Sequence, residues 1–370
     1  MTTYHCPLDG TRSDTTALTW CCPVCRGPWD LDFTPAPGLT PNALSTRVNS
    51  LWRYEESLPL ASPRVSLGEG RTPLVPLTDT VTAKLDYLMP TLSFKDRGAV
   101  LLAELARRLA PERVVADSTG NAGTSVAAYC ARAGLDCAVY VPEGTSAKKT
   151  EQIRAHGARL VTVAGGREAT ALAARAAADE PGTFYASHVF NPYFLHGTKT
   201  YVYELWEDLG GRLPDALAVP VGNGTLLLGA ALAVAELDAL GLITTRPRLI
   251  AVQAEAVAPL AAAFHAGAED LPPDAPAVAA PTLAEGIAIP RPPRARQILA
   301  AVRASGGTFL TVPEDAVREA QRDLAGRGFY VETTGVACWA AVRDRDRGDD
   351  LVRGGVVVPL CGAGLKTGMT

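Results

Sequence analysis

The sequence predicts an α/β protein built from two doubly wound parallel-sheet domains, with a zinc-ribbon-like segment at its N-terminus. Three observations carry that prediction. Between residues 112 and 187, short β-branched runs alternate with helical stretches, the pattern of repeated βα units around a parallel twisted sheet. A second strand–helix series runs from 197 to 360. Two cysteine-bearing turns, HCPLDG and WCCPVCRG, crowd the opening of the chain, and paired knuckles of this shape build a zinc ribbon when four ligands are present.

Composition narrows the class. The chain has 370 residues, 47% hydrophobic and 20% charged, enough material for more than one core. A net charge of −4 and the lack of a basic run argue against nucleic acid or an anionic membrane as the main partner. No stretch reaches the roughly 18 uninterrupted apolar residues of a membrane span, and the opening residues lack a basic region followed by an apolar core. Cys6, Cys21, Cys22 and Cys25 cluster, while Cys130, Cys137, Cys338 and Cys361 are scattered through apolar contexts. That usage fits reduced thiols better than a disulfide framework. The expectation is a soluble, cytoplasmic protein.

Taken in order, residues 1–33 form the small ribbon-like unit. Cys6-x-x-Asp9 is followed by Cys22-x-x-Cys25, with Asp9 where the first knuckle needs its second ligand. Aspartate ligates zinc, and His5 or Cys21 are substitutes in reach; a metal-free ribbon that keeps only the turns is the other reading. Residues 35–63 are proline-rich with one helical stretch at 49–57, an arm that wraps another part of the fold. A turn-dense segment at 67–74 and a strand at 81–85 lead into YLMPTLSFKDRG (87–98). Pro90 bars a helix interior there. From Lys95 onward the run becomes helix-forming and apolar at helical spacing. Lys95 thus falls in a first helical turn, whose positive end disfavours a cation. That eases a neutral amine or an imine, as a Schiff-base lysine requires. A solvated lysine in a charged first turn is the plain alternative.

Strands at 113–117, 137–141 and 159–163 then alternate with helices at 124–133, 147–156 and 167–178. The second block reads helix 197–209, strand 216–220, helix 226–240 and strand 248–253. It continues as an Ala/Pro-rich surface loop at 266–281, helix 293–305, strand 308–312, helix 313–326 and strand 356–360.

Three strand-end turns carry chemistry, since ligands approach the carboxyl ends of parallel strands. Gly222-Asn223-Gly224-Thr225-Leu226 has the small residues that let backbone amides close on an oxyanion under a helix dipole. No lysine follows as in a nucleotide loop, and the glycine spacing is not that of a dinucleotide fingerprint, so a phosphate monoester fits better. Ser118-Thr119-Gly120-Asn121 is a second anion-friendly turn. Cys361, at the end of the last strand, places a small polar side chain at the same cleft. Generic tight turns and a buried thiol are the plain alternatives.

The motifs GEGRTPL (68–74), PTLSFKDRG (90–98), STGNAG (118–123), NPYFLHGTKT (191–200), PVGNGTLLLG (220–229), IAVQAEAVAP (250–259) and CGAGLK (361–366) fall in the order and spacing of threonine synthase. The chain therefore resembles that family nearly throughout, and with it the pyridoxal-phosphate enzymes of the tryptophan-synthase β-like fold (fold type II). The resemblance implies a pyridoxal 5′-phosphate cofactor, a small amino-acid substrate and a homodimer. It makes Lys95 the Schiff-base lysine that also moves the α-proton, and sets Phe94 beside the cofactor ring. It gives Asn121 the ring hydroxyl, Ser118, Thr119, Gly120 and Asn121 the substrate carboxylate, and Gly222 to Leu226 the cofactor phosphate. Cys361 takes the place of the Ser or Thr at the pyridine nitrogen. A thiol there cannot hold the nitrogen protonated as a carboxylate would, which favours expelling a leaving group over transamination. The expected division is a ribbon over 1–33, a large cofactor-binding domain over 34–85 and 187–370, and a small mobile domain over 86–186.

The departures lie on the substrate side. Where the family carries Asn-Ser ahead of NPY and an arginine two places after the proline, this chain has His188-Val189 and Phe194, losing a bidentate phosphate clamp. The usual glycine before Ser-Phe-Lys is Leu92, and His196 replaces a glutamate. His188, His196 and Phe194 thereby become candidates for recognising a different substrate, with surface or helix-start histidines the plain alternative for His188 and His196. The expected activity is elimination or replacement at the β or γ carbon of a small amino acid, with O-phosphohomoserine to threonine the most specific candidate. A β-replacement synthase or a serine/threonine dehydratase is the rival reaction, and a non-catalytic ribbon-bearing binding protein the rival of another class.

Overall fold

The structure, a computed structural model, describes residues 2–275, 280–345 and 348–369. Three short strands open the chain: β1 (Thr3–His5), β2 (Arg12–Asp14) and β3 (Asp30–Asp32), paired antiparallel in the order β2-β1-β3. Helix α1 (Pro41–Leu44) starts on a Thr40 cap with proline at its first position. The helix expected over 49–57 is instead a 3-10 stretch, Leu51–Ser57, kinked at Tyr54. The reason is burial on consecutive positions. Leu51, Trp52, Arg53 and Tyr54 all point inward, with the Trp52 indole N–H donating to Val65 O at 3.0 Å, and no 3.6-residue stripe survives that demand.

The remaining elements follow in order. They are β4 (Leu74–Pro76), β5 (Val81–Lys84), α2 (Lys95–Leu109), β6 (Arg113–Ala116), α3 (Asn121–Ala133), β7 (Cys137–Pro142), α4 (Ala147–Ala155), β8 (Arg159–Val163), α5 (Arg167–Ala178) and β9 (Thr183–Tyr185). Next come α6 (Tyr193–Thr198), α7 (Thr200–Asp208), β10 (Ala216–Pro220), α8 (Thr225–Ala239), β11 (Arg248–Ala254) and α9 (Pro259–His265). Last are α10 (Ala295–Ala304), β12 (Thr308–Val312), α11 (Glu314–Gly326), α12 (Thr333–Val342) and β13 (Val356–Pro359).

Most of the expected elements are present within one to three residues. The single helix expected over 197–209 is two, α6 and α7, parted at Lys199. Helix α3 begins at Asn121 rather than 124. Strand β9 and helices α9 and α12 carry no sequence expectation. Helix α12 starts on the poor helix formers Thr-Thr-Gly and then buries Val336, Ala337, Cys338 and Trp339 in succession, so it shows neither propensity nor amphipathic period. Part of the loop expected over 266–281 lies outside the described residues. No helix among the described residues is long and apolar enough to cross a membrane.

The chain divides into two compact units: Met1–Gly70 with Lys95–Thr198, and Arg71–Phe94 with Lys199–Thr370. The first holds a four-stranded parallel sheet of order β8-β7-β6-β9. The second holds a six-stranded sheet of order β12-β11-β10-β13-β5-β4, parallel except for the β4–β5 edge pair. The α/β class with two parallel sheets is thus as the sequence predicts. The N-terminal strands and the segment over 34–70 belong to the first unit. Packing explains this: Tyr4 stacks on Trp29 at 5.9 Å and meets Tyr193 edge-on at 6.2 Å, and Glu104 of α2 accepts the Arg64 and Val65 amides. Burying rings of that size contributes about 1.5–3 kcal/mol each, more than a short segment's chain order can outweigh.

Candidate active site

The candidate residues fall into two sets, one in each unit. In the first unit Lys95 opens α2, as its sequence context requires. The next residue, Asp96, is fully buried and accepts a hydrogen bond from Ser125 Oγ at 2.6 Å. That bond ties the start of α2 to α3 and fixes the turn on which Lys95 stands. Lys95 Nζ lies 5.8 Å from the centre of the Phe194 ring. Phe194 itself is completely buried. Its ring presses so closely on Gly98 that a Cβ there would fall 2.4 Å from two ring carbons. His188 also meets it edge-on, with ring centres 5.8 Å apart. Burial, and then the positive charges of Lys95 and Arg167, push the His188 imidazole well below its ordinary range, so it is neutral at physiological pH. His196 is also buried and packs edge-on against Phe33 of the arm at 5.3 Å.

Strand β6 ends at Ala116, and the turn Ser118-Thr119-Gly120 delivers Asn121 as the first residue of α3. Ser118, Thr119 and Asn121 are half-buried and Gly120 is exposed. The Gly120 amide donates to Ser118 Oγ at 3.3 Å, which holds the turn open at the helix start. A small anion or a carboxylate suits such a turn.

The second unit holds the glycine loop. Strand β10 ends at Pro220, and Val221 to Gly224 turn the chain into α8. Gly224 has φ +73°, a left-handed conformation that glycine adopts at no steric cost. A Cβ on Gly222 would sit 2.9 Å from the Ile287 backbone, so the loop lies against the segment beneath it. Gln253 of β11 fixes the loop from below. Its side chain donates to Val221 O at 3.2 Å and accepts the Ala261 amide at 2.9 Å. The first amides of any helix lack intrahelical carbonyl partners and carry partial positive charge. A tightly curved small-residue loop feeding such a helix suits a phosphate monoester.

Cys361 lies two residues beyond β13 and is buried. Its Sγ contacts Pro359 O at 3.8 Å, and its carbonyl accepts the Phe94 amide at 2.9 Å. Ser93 bridges to Gly362, and the Ala363 amide donates to Leu92 O at 3.0 Å. The stretch leading to Lys95 is thereby laid alongside Cys361–Ala363 before it enters α2. Leu92 pays for this path with φ +64°, an uncommon backbone for a branched side chain.

Two residues in these surroundings escape sequence reasoning. Gln253 reads as one polar residue in an apolar strand. Glu332 is buried, and its carboxylate would be 2.4 Å from a Cβ on Gly362, while its amide donates to Gly362 O at 2.9 Å. The only sequence signal for Glu332 is a carboxylate just ahead of α12.

In the N-terminal sheet, Cys6, Asp9, Cys22 and Cys25 come together, with their ligand atoms all within 4.8 Å of one another. The substitutes weighed from sequence are placed elsewhere. His5 Nδ1 pairs with Asp32 at 2.8 Å, and Cys21 packs in the apolar cluster of Trp20, Tyr185 and Phe190.

The chain matches the model of the pyridoxal-phosphate dependent enzyme family over residues 65–362. Among characterised relatives, it is 32% identical to a threonine synthase of Methanosarcina acetivorans, covering 92% of this chain and 86% of that one. It is 33% identical to the threonine synthase of Methanocaldococcus jannaschii, over 81% of this chain and 76% of that one. Among solved structures, the T.th. threonine deaminase superposes with a TM-score of 0.66 at 29% identity, covering 80% of this chain and 92% of that chain. Maize serine racemase, at 20% identity and a TM-score of 0.68 over 80% of this chain and 88% of that one, shares the fold. The chain therefore belongs to the pyridoxal-phosphate dependent enzymes, as a threonine synthase-like member of that family.

Proposed function

We propose that this enzyme takes the α-proton from a small amino acid and expels a substituent from its β or γ carbon, with O-phosphohomoserine to threonine as the most specific candidate. The observation that supports it is a lysine opening a buried-face helix and a glycine turn leading from a strand end into a helix, in a chain about one-third identical to threonine synthases over most of its length. Lys95 would hold the cofactor, with Phe94 and Asn121 beside it, Gly222, Asn223, Gly224, Thr225 and Leu226 around its phosphate, and Cys361 at its ring nitrogen. When bound, pyridoxal phosphate supplies an electron-accepting ring. Lys95 Nζ would be the base that moves the proton at the substrate Cα. Its place in the first turn of α2 lowers the cost of the neutral amine. Ser118 to Asn121 hold the substrate carboxylate. A thiol at 361 lacks a carboxylate's charge, so expulsion of a leaving group is favoured over transfer of the amino group.

A second reading has its own support. From Ser187 to Thr198 the chain carries no lysine or arginine, His188 is neutral by burial, and Phe194 fills core space where the family places a guanidinium. A leaving group without charge, the hydroxyl of serine or threonine, suits that segment better than phosphate. Family resemblance further supports a homodimer in the cytoplasm and a zinc-ribbon-like N-terminal sheet.

The test offers O-phospho-L-homoserine, O-phospho-L-serine, L-serine and L-threonine to the cofactor-loaded protein. Release of phosphate with threonine formation is the expected result. Keto acid and ammonia from serine or threonine alone would favour the second reading. Wild-type turnover by Lys95→Ala would sink both, as would a borohydride label mapped to any other lysine.

A further inference from the structure

We propose that Cys6, Asp9, Cys22 and Cys25 form a tetrahedral zinc centre in which Asp9 is a ligand in its own right, so that one carboxylate completes three thiolates. The argument rests on an internal repeat in the backbone. In the first knuckle the Cys6 amide donates to Thr11 O at 2.8 Å and the Gly10 amide to Cys6 O at 3.0 Å. In the second, the Cys22 amide donates to Gly27 O at 3.0 Å and the Arg26 amide to Cys22 O at 2.9 Å. The two turns therefore close with the same bonds at the same spacing. Each also has a positive φ at its fifth residue, +76° at Gly10 and +59° at Arg26. An arginine accepts that strained backbone only if the turn is imposed.

The side chains repeat as well. In the second knuckle the Gly27 amide donates to Cys25 Sγ at 3.4 Å. In the first, the Thr11 amide donates to Asp9 Oδ1 at 2.9 Å. Asp9 thus stands where Cys25 stands, pointing to the same centre and braced by the same backbone donor. The Val24 amide likewise donates to Cys22 Sγ at 3.4 Å. Amides aimed at sulfur stabilise thiolates and orient them, as the outer shell of a metal site does.

Distances agree with an ion between the ligands. Cys6 Sγ and Cys25 Sγ are 3.4 Å apart, and Cys22 Sγ is 3.3 Å from Asp9 Oδ2. Zinc bonds of about 2.3 Å to sulfur and about 2.0 Å to oxygen give tetrahedral edges of roughly 3.5–3.8 Å. Soft thiolates in that geometry select zinc over magnesium or calcium, which take all-oxygen, six-or-more-coordinate sites. Cys6 and Cys22 are buried while Asp9 and Cys25 face solvent, so the centre has an inner thiolate pair and an outer pair through which metal can enter. Its thiol protons leave to solvent as the metal binds.

The test uses the full chain, expressed with zinc and separately reconstituted with Co(II). One zinc per chain is expected, and a Co(II) spectrum with tetrahedral d–d bands and thiolate charge transfer. Asp9→Cys should raise the charge-transfer intensity by about a third, as four thiolates replace three. Asp9→Ala should weaken zinc binding by at least about 10-fold. Asp14 provides the control, because it accepts the Thr16 amide at 2.8 Å in a similar turn but lies outside the cluster. Asp14→Asn should keep wild-type affinity. The proposal is overturned if the reconstituted wild type holds no zinc and gives no tetrahedral cobalt spectrum, or if a Cys6–Cys25 disulfide forms in place of the metal under reducing purification. It is also overturned if Asp9→Ala binds zinc as tightly as the wild type. Should Asp9→Ala fail to fold, the wild-type and Asp9→Cys cobalt spectra still decide.

Discussion

Phe194 shows what a single substitution does in this chain. Set against the family that the chain resembles, the expectation there is an arginine lost from a phosphate clamp. In place, Phe194 is a plug: the buried ring presses on Gly98 and meets His188 edge-on. Gly98 and Phe194 should therefore behave as a coupled pair. Gly98→Ala is expected to cost about 1–3 kcal/mol through overpacking, and the addition of Phe194→Leu should return part of that loss. Urea denaturation of both single variants and the double variant measures it. Simple additivity of the two costs would rule out the interlock. The sequence makes the missing charge legible at position 194, but not the interlock, because Gly98 sits 96 places away in the lysine motif. Asp9 is the opposite case. Its identity as a candidate ligand is legible from spacing, whereas its equivalence to Cys25 needs the backbone.

At the scale of elements, α2 carries both the reactive lysine and a buried carboxylate that anchors the arm. Burial alone would raise the Glu104 carboxyl, yet hydrogen bonds from Arg107, Arg108 and the Arg64 amide hold it down to about 2. A free glutamate titrates near about 4.3. Its folded value lies below that, so its contribution to stability is complete above the unfolded value and is lost as pH falls toward 2. Breaking such a buried cluster from one side costs about 3 kcal/mol. Glu104→Gln should accordingly be less stable than wild type by that order at pH 7, and the gap should close between about pH 4.5 and 2. Denaturation midpoints across pH decide the matter; a gap that stays constant would mean the charge is not what anchors the arm. The long amphipathic and strand-flanked elements are legible because period and turn chemistry agree, as in α5, α11 and β10. Helix α12 is not, since its apolar run has no period, and the start of α3 is misplaced because Gly120-Asn121-Ala122-Gly123 reads as turn while its last three residues are helical.

On the scale of the whole molecule, the N-terminal sheet belongs to the unit that carries Lys95. Trp20 meets Tyr185 and Phe190 edge-on, its indole N–H donates to Asp179 at 2.8 Å, and the Trp29 amide donates to Phe190 O at 3.2 Å. Removing the proposed zinc should therefore loosen more than the N-terminal sheet. Hydrogen-exchange mass spectrometry with a chelator is expected to show faster exchange over 3–32 and 188–196, with β10, β11 and β13 unchanged. Acceleration confined to 3–32 would show that the contacts with Phe190 and Tyr193 outlast the metal. The other unit raises a different matter, that of assembly in time. Its sheet has β13 at the centre, between β10 and β5, with Val356 paired to both Ala216 and Val81. On the ribosome β4 and β5 emerge early, β10 to β12 later, and the strand that joins them last of all. Until then the hairpin and the three-stranded piece each expose an edge that only β13 can cover. A nascent chain halted before Val356 is left with two sticky half-sheets, and quality control has most of this unit's synthesis in which to find them.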